Sequence, residues 1–188
     1  VGFEDYYGQD VSWEPCEGAD DGDYFCASIT APEDWTDPDA GDLDLAIIVR
    51  LASGDRSEGA LFVNPGGPGA SGVDLVQQSA SFAVGEVLMD AYDVVGFDPR
   101  GVGRSTPVVC LDDAAMDDYL FDLPAAPRGT PEREAEQRAA VTEYTRACEA
   151  NSGGILPFIT TQNAARDLDL LRGVMGDEKL AYLGYSYG

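Results

Sequence analysis

The sequence predicts an α/β fold: a sheet flanked by helices, with glycine-rich loops at the carboxyl ends of its strands, where ligands bind in such folds. Three observations predict it. The chain opens with strands and then alternates strand and helix. Several strands are short, continuous apolar runs, the pattern of strands buried on both faces. Three of these runs enter glycine-punctuated loops, at residues 64–72, 98–105 and 184–188.

Residues 1–23 are polar, acidic and glycine-containing, and read as an irregular segment. Within them Asp20-Asp21-Gly22-Asp23 lacks the ligand spacing of an EF-hand loop, so it reads as a solvated turn and not a calcium site. Tyr24 to Ile29 reads as the first strand, followed by a turn-rich stretch from Ala31-Pro32 to Gly41. Leu43 to Leu51 is the second. It begins with alternation and ends as a continuous apolar run, as a strand entering a sheet centre does. Ser53 to Gly59 is a polar, hairpin-like link. Ala60 to Val63 is a third, buried strand. It runs into Asn64-Pro65-Gly66-Gly67-Pro68-Gly69-Ala70-Ser71-Gly72, a loop made tight and constrained by four glycines and two prolines.

Val73 to Met89 reads as helical, broken near Gly85. Tyr92 to Phe97 is another buried strand, ending in Asp98-Pro99-Arg100-Gly101-Val102-Gly103-Arg104-Ser105. After Cys110 the chain turns acidic and then proline-rich through Pro131. Thr130 as N-cap and Pro131 at the first helical position start a helix that runs to Ala150. Val141, Tyr144 and Cys148 fall on one face of it, which predicts a buried Cys148. A further helix spans about Gln162 to Met175, with Ala165, Leu168 and Leu171 on one side, and Gly176 closes it. Leu180 to Leu183 is a last short strand, leading into Gly184-Tyr185-Ser186-Tyr187-Gly188.

The 188 residues suit one domain, and at 44% hydrophobic they suffice for a sizeable core. No apolar run approaches the ~18 residues of a membrane span. The start, Val1-Gly2-Phe3-Glu4-Asp5, lacks the basic-then-apolar pattern of a signal peptide, so an exported protein would already have lost its signal. The net charge is -24, from 35 acidic against 11 basic residues. That excludes the cationic footprint of a nucleic-acid binder and disfavours anionic membranes. The acidity reads first as a solvated surface, and more sharply as a field that draws cationic substrates such as free peptide N-termini. Cys16, Cys26, Cys110 and Cys148 form no C-x-x-C pair and there is no histidine, which argues against zinc. An even cysteine count without metal spacing predicts two disulfides and an oxidising compartment. Three pairings are possible; proximity favours Cys16–Cys26 and Cys110–Cys148, and four free thiols in a reducing compartment are the alternative. No metal or cofactor is expected: the 64–72 loop lacks the lysine and hydroxyl of a phosphate-binding P-loop.

Gly184 to Gly188 reads G-x-S-x-G, a pattern that sets a serine on a sharp turn after a strand with its Oγ clear of the backbone. Acyl transfer needs a nucleophile, a base oriented by an acid, and donors for the developing oxyanion. Ser186 is the candidate nucleophile and the N–H of Tyr187 a candidate donor. The second donor should come from the loop after the third strand, from Gly67 or, as runner-up, Gly66. A serine hydroxyl is a poor nucleophile until a base takes its proton, and no imidazole is present. Lys179 cannot serve: it precedes the last strand, roughly 16–23 Å from Ser186 at the opposite strand end. Asp98 reads as a cap on its own turn, with Arg100 tying that loop down. Tyr185 and Tyr187 read as packing around the elbow or lining a pocket.

The three motifs together, 64–72, 92–107 and 184–188, resemble those of secreted tripeptidyl aminopeptidases of the α/β-hydrolase superfamily, and more distantly proline iminopeptidases. The likeness spans residues 60–188, and residues 16–51 resemble that family's opening. Proline iminopeptidases carry a histidine before Gly-Gly-Pro-Gly; Asn64-Pro65 stands here, which favours the tripeptidyl side. The resemblance implies Ser186 as nucleophile and Gly67 with Tyr187 as oxyanion donors. It implies a triad Asp and His further downstream, and a lid after the nucleophile-bearing half. On that reading residues 1–188 are the N-terminal part of a single catalytic domain, with later strands and lid missing. The expected partners are a peptide with a free N-terminus and the remainder of the enzyme, in a secreted setting. The segment alone would be inactive, with an exposed sheet edge, and stable only when completed. Two rival readings stay open: an esterase or lipase-like hydrolase on the same fold, and a non-catalytic binding protein.

Overall fold

The computed structural model describes residues 2–19 and 22–188, so the reading of Asp20 and Asp21 as part of a solvated turn lies outside the described residues. The helices are α1 (Phe3–Tyr7), α2 (Gly72–Ala83), α3 (Glu86–Ala91), α4 (Asp113–Phe121), α5 (Pro131–Ser152) and α6 (Thr161–Val174). The strands are β1 (Glu14–Pro15), β2 (Tyr24–Asp34), β3 (Asp37–Arg50), β4 (Ala60–Asn64), β5 (Asp93–Phe97) and β6 (Ala181–Gly184). The chain forms two compact units: the stretch up to Pro107 with Phe158–Gly188, and Val108–Pro157.

The first unit holds one sheet in the order β1-β2-β3-β5-β4-β6. β1, β2, β3 and β5 pair antiparallel, whereas β4 pairs parallel with both β5 and β6. Side chains alternate across it. Ile48, Leu61, Val63 and Val94 form one core with Val73, Val76 and Ala80 of α2. Gly72 and Gly96 bring α2 and β5 into backbone contact, since a Cβ on either would overlap the other strand or helix. On α6, Leu170 and Leu171 are fully buried where that helix lies against α1 and β2.

In the first unit four expectations need correction. The stretch from Ala31 to Gly41 is mostly strand: β2 and β3 make one long hairpin, in register from Tyr24↔Arg50 to Asp34↔Asp37, with a bulge between Pro32 and Asp34. Proline is tolerated because β1 covers β2 only at Phe25 and Cys26, so β2 is an edge at Pro32. The turn is tight, with Asp34 Oδ1 accepting from the N–H and hydroxyl of Thr36. Second, residues 53–59 are not a hairpin link, because β5 lies between β3 and β4; the segment instead bonds to Met89, Asp90 and Ala91 at the end of α3. Third, the opening segment contains α1 and β1. Tyr6 of α1 is buried and donates to Asp42 Oδ1 at 2.5 Å. Fourth, the buried face of α6 carries Asp167, Leu170 and Leu171, while Ala165 is exposed and Leu168 half-buried. The helix is turned by its buried aspartate, whose partner is described below.

The second unit is helical. Thr130 caps α5, accepting from the N–H of Arg133, and Pro131 opens it as the sequence implies. α4, in the stretch that the sequence marks only as acidic, is capped by Asp112 accepting from Ala115 N–H at 2.8 Å. Neither helix buries a residue. Val141 is 54% exposed and Cys148 half-buried, so the expected buried face of α5 is absent; with charged residues on every side it has no apolar stripe. The disulfide Cys110–Cys148, a Tyr119–Tyr144 ring stack and the bond from Asn151 Nδ2 to Cys110 O hold this unit. The other disulfide, Cys16–Cys26, joins β2 to the segment after β1.

Candidate active site

The parallel register decides which loops meet. Val63 pairs with Gly96 and with Leu183, and Asn64 with Gly184. The carboxyl ends of β4, β5 and β6 therefore lie side by side, and all three glycine loops leave from one edge of the sheet.

Ser186 is exposed at the tip of the turn after β6. Its φ is +55°, and among the described residues it is the one non-glycine with positive φ. A side chain in that left-handed region is strained and persists where its surroundings fix it. The surroundings do so here. Tyr185 N–H donates to Asn64 O at 3.0 Å, and Gly188 N–H closes the turn on Tyr185 O at 2.8 Å. Tyr185 Oη donates to Ala83 O at the end of α2. Tyr187 Oη lies 3.0 Å from Thr161 Oγ1 at the start of α6. Both tyrosines thus anchor the turn to the helices while their rings stay exposed.

The 64–72 loop lies directly against this turn. A Cβ on Gly66 would overlap Tyr185 O and come within 2.8 Å of Tyr187 N, so glycine is required for the approach. Gly66 N–H is taken, donating to Asn64 Oδ1 at 2.8 Å. Gly67, at φ +114° before a cis peptide to Pro68, has an N–H without a hydrogen-bond partner among the described residues. The N–H of Tyr187 is likewise unengaged.

Asp98 is fully buried. It accepts from the N–H of Arg104 at 2.8 Å, within its own loop as the sequence suggests. It also accepts from the Ser71 hydroxyl at 2.5 Å and Val73 N–H at 3.2 Å, which joins the 98–105 loop to the N-terminus of α2. Arg100 is buried as well, and all five of its N–H groups are used. Nε and Nη2 grip the Asp167 carboxylate at 2.7 and 2.6 Å, and the rest reach the carbonyls of Pro32, Glu33 and Phe158. Trp35 Nε1 gives Asp167 a third donor at 2.8 Å. Burial pushes the Asp167 carboxyl above the usual carboxylate range, and Arg100 and then Trp35 pull it back. Sequence reading missed Asp167; the signal was an aspartate three and four positions before Leu170 and Leu171 on one helical face. Lys179 is exposed just before β6, at the strand end remote from Ser186.

An exposed hydroxyl on a fixed turn, with the unengaged N–H of Tyr187 after it and a packed loop that carries a second unengaged N–H, is an arrangement suited to attack on a carbonyl with capture of the oxyanion. Among the described residues no cluster of His, Cys, Asp and Glu suits a metal, and no helix is long and apolar enough to cross a membrane.

A family model for the alpha/beta hydrolase fold matches residues 59–188. The chain is 41% identical over 187 residues to a tripeptidyl aminopeptidase of Streptomyces coelicolor, covering 95% of this chain and 34% of that protein. It is 37% identical over 193 residues to the serine protease Hip1 of Mycobacterium tuberculosis, covering 96% and 35%. It is 40% identical over 151 residues to carboxylesterase B of the same organism, covering 78% and 28%. The chain spans about a third of the length of the first two relatives, or less in the third. The matched motifs, the parallel β5-β4-β6 core and the strained serine turn agree: the chain belongs to the α/β-hydrolase fold family.

Proposed function

We propose that these residues form the nucleophile-bearing part of a serine peptidase, an aminopeptidase that releases short peptides, tripeptides in particular, from free N-termini. The observation that carries the proposal is the geometry of Ser186, exposed at φ +55° on a turn in which the N–H of Tyr187 is unengaged among the described residues, and against which Gly66 packs the loop that carries the unengaged N–H of Gly67. In this reading Ser186 Oγ attacks the carbonyl of the scissile bond. The carbonyl oxygen takes up negative charge between Gly67 and Tyr187, where the two amides stabilise it. Collapse expels the remainder of the peptide as an amine, and water then releases the short N-terminal peptide from the serine ester. Gly66 gives space rather than a donor, because its N–H is already bonded.

Ser186 needs a base, and the sequence has no histidine. The triad His and Asp, with any lid that selects the peptide N-terminus, are therefore assigned to parts of the protein outside these residues, and residues 1–188 to one catalytic domain with them. By the same logic the segment alone is inactive. The two disulfides support a secreted setting.

The test uses the full-length protein. Tripeptidyl-anilides with a free N-terminus should be cleaved, their N-acetylated forms much less, and Ser186→Ala should abolish both activity and fluorophosphonate labelling. Activity on simple esters alone would replace the peptidase reading with an esterase one, which the carboxylesterase relative favours. Failure of Ser186 to label would sink both.

A further inference from the structure

We propose that Asn64 is a positioning residue that sets the oxyanion donor by occupying the neighbouring amide; the proposal rests on the reading of Ser186 and Gly67 above. Asn64 ends β4 and is touched by both halves of the site. Its side-chain Oδ1 accepts Gly66 N–H at 2.8 Å, across Pro65. Its main-chain oxygen accepts Tyr185 N–H at 3.0 Å, the residue before the nucleophile. Gly188, on the far side of Ser186, approaches so closely that a Cβ there would lie 2.7 Å from Asn64 O and 3.0 Å from its Cγ.

These contacts have a directional consequence. An asparagine side chain that accepts the N–H two residues on imitates a backbone turn and fixes the intervening peptide planes. Pro65 adds to this, since it restricts both its own φ and the conformation of Asn64. With Gly66 N–H pinned back toward β4, the next amide, Gly67 N–H, is left without a partner among the described residues, in the loop that Gly66 packs against the 185–188 turn. Without the Asn64 acceptor, Gly66 N–H is free to compete. The loop between Asn64 and Ser71, rich in glycine, then has many other backbone states. Donors aimed at a transition state tolerate little displacement: misplacement by about 1 Å costs on the order of 100-fold in rate.

In the full-length protein, Asn64→Ala should lower kcat roughly 10- to 100-fold with KM changed less than about threefold. The rate of fluorophosphonate labelling at Ser186 should fall in parallel, because the phosphoryl oxygen uses the same donors. Asn64→Ser, whose hydroxyl accepts the same N–H, should recover to within about threefold of the parent. Asn64→Ala within twofold of the parent overturns the proposal. So does a folded Asn64→Ser as impaired as Asn64→Ala, or, should the alanine variant not fold, a folded Asn64→Ser more than about tenfold impaired. Ser186→Ala separates this proposal from the one beneath it: retained activity there refutes the nucleophile itself, while its loss together with a fully active Asn64→Ala refutes the role of Asn64 alone.

Discussion

Replacing Arg100 with methionine should loosen the ground on which the site is built. The guanidinium is 2% exposed and uses all five N–H groups, two of them on a carboxylate that is itself 1% exposed. Methionine fills the volume but leaves Asp167 buried with Trp35 Nε1 as its one remaining donor among the described residues. It also strips donors from the carbonyls of Pro32, Glu33 and Phe158. Breaking a buried pair from one side costs about 3–5 kcal/mol, mostly the penalty of an uncompensated buried charge. Against a typical total of about 5–15 kcal/mol, that is a large share. The loss should concentrate where the pair ties elements together, at the β2–β3 turn and along α6. Hydrogen exchange read on the Leu170 and Leu171 amides of the full-length protein should show protection falling by at least about 100-fold, the lower bound that 3 kcal/mol implies. Removing both charges, as Arg100→Met with Asp167→Leu, should restore protection above either single variant, since apolar replacement of a whole pair is often near neutral. Recovery should be partial because the carbonyls of Pro32 and Glu33 lose their Arg100 donors, whereas that of Phe158 keeps Thr160 N–H and Asn163 Nδ2. A fall of less than tenfold in Arg100→Met, or a double variant worse than both singles, would refute the reasoning.

Further predictions are independent of that pair. Gly66→Ala should cut labelling of Ser186 by about 100-fold or more, because its Cβ would overlap Tyr185 O at φ +85°; unchanged labelling would show that the loop gives way. Opening Cys110–Cys148 by Cys110→Ser frees a loop with sequence separation 38, which removes about 4 kcal/mol of constraint on the unfolded chain. With α4 and α5 burying nothing, residues 108–157 should become protease-sensitive while β3, β4 and β5 keep their exchange protection. The Tyr6 hydroxyl is pushed up to about 12 by burial and by its bond to Asp42. A value raised in the fold adds stability that is complete below the unfolded pKa near 10 and is lost as pH rises toward 12. Alkaline denaturation in that window should therefore be weaker in Tyr6→Phe, and ultraviolet titration should show one fewer late-ionising tyrosine.

Much of this was written locally. Buried strands announce themselves by apolar runs, and β4 and β5 fall where Ala60–Val63 and Tyr92–Phe97 predict them. Caps and breakers are local too: Thr130-Pro131 opens α5, and Gly85, at φ +80°, divides α2 from α3. The order of the three glycine loops gave the serine turn its context, and short sequence separation gave the cysteine pairing. Where residues lacked a pattern, sequence reading lost the element. Pro32 suggested a turn, yet it sits in β2 because no neighbour claims its missing N–H.

Tertiary structure decided what depends on partners far away in the chain. Arg100 meets Asp167 across 67 positions and Trp35 meets Asp167 across 132, and no periodicity encodes such a choice. The same holds at the site. The sequence put Gly67 ahead of Gly66 as the donor, but both are glycines of one loop and no local pattern shows which N–H is engaged. The folded arrangement, in which Asn64 engages the N–H of Gly66 and that of Gly67 has no partner among the described residues, distinguishes them. Side-chain pattern reports which faces are buried; which amide stays free is fixed by where β4 and β6 bring their ends together.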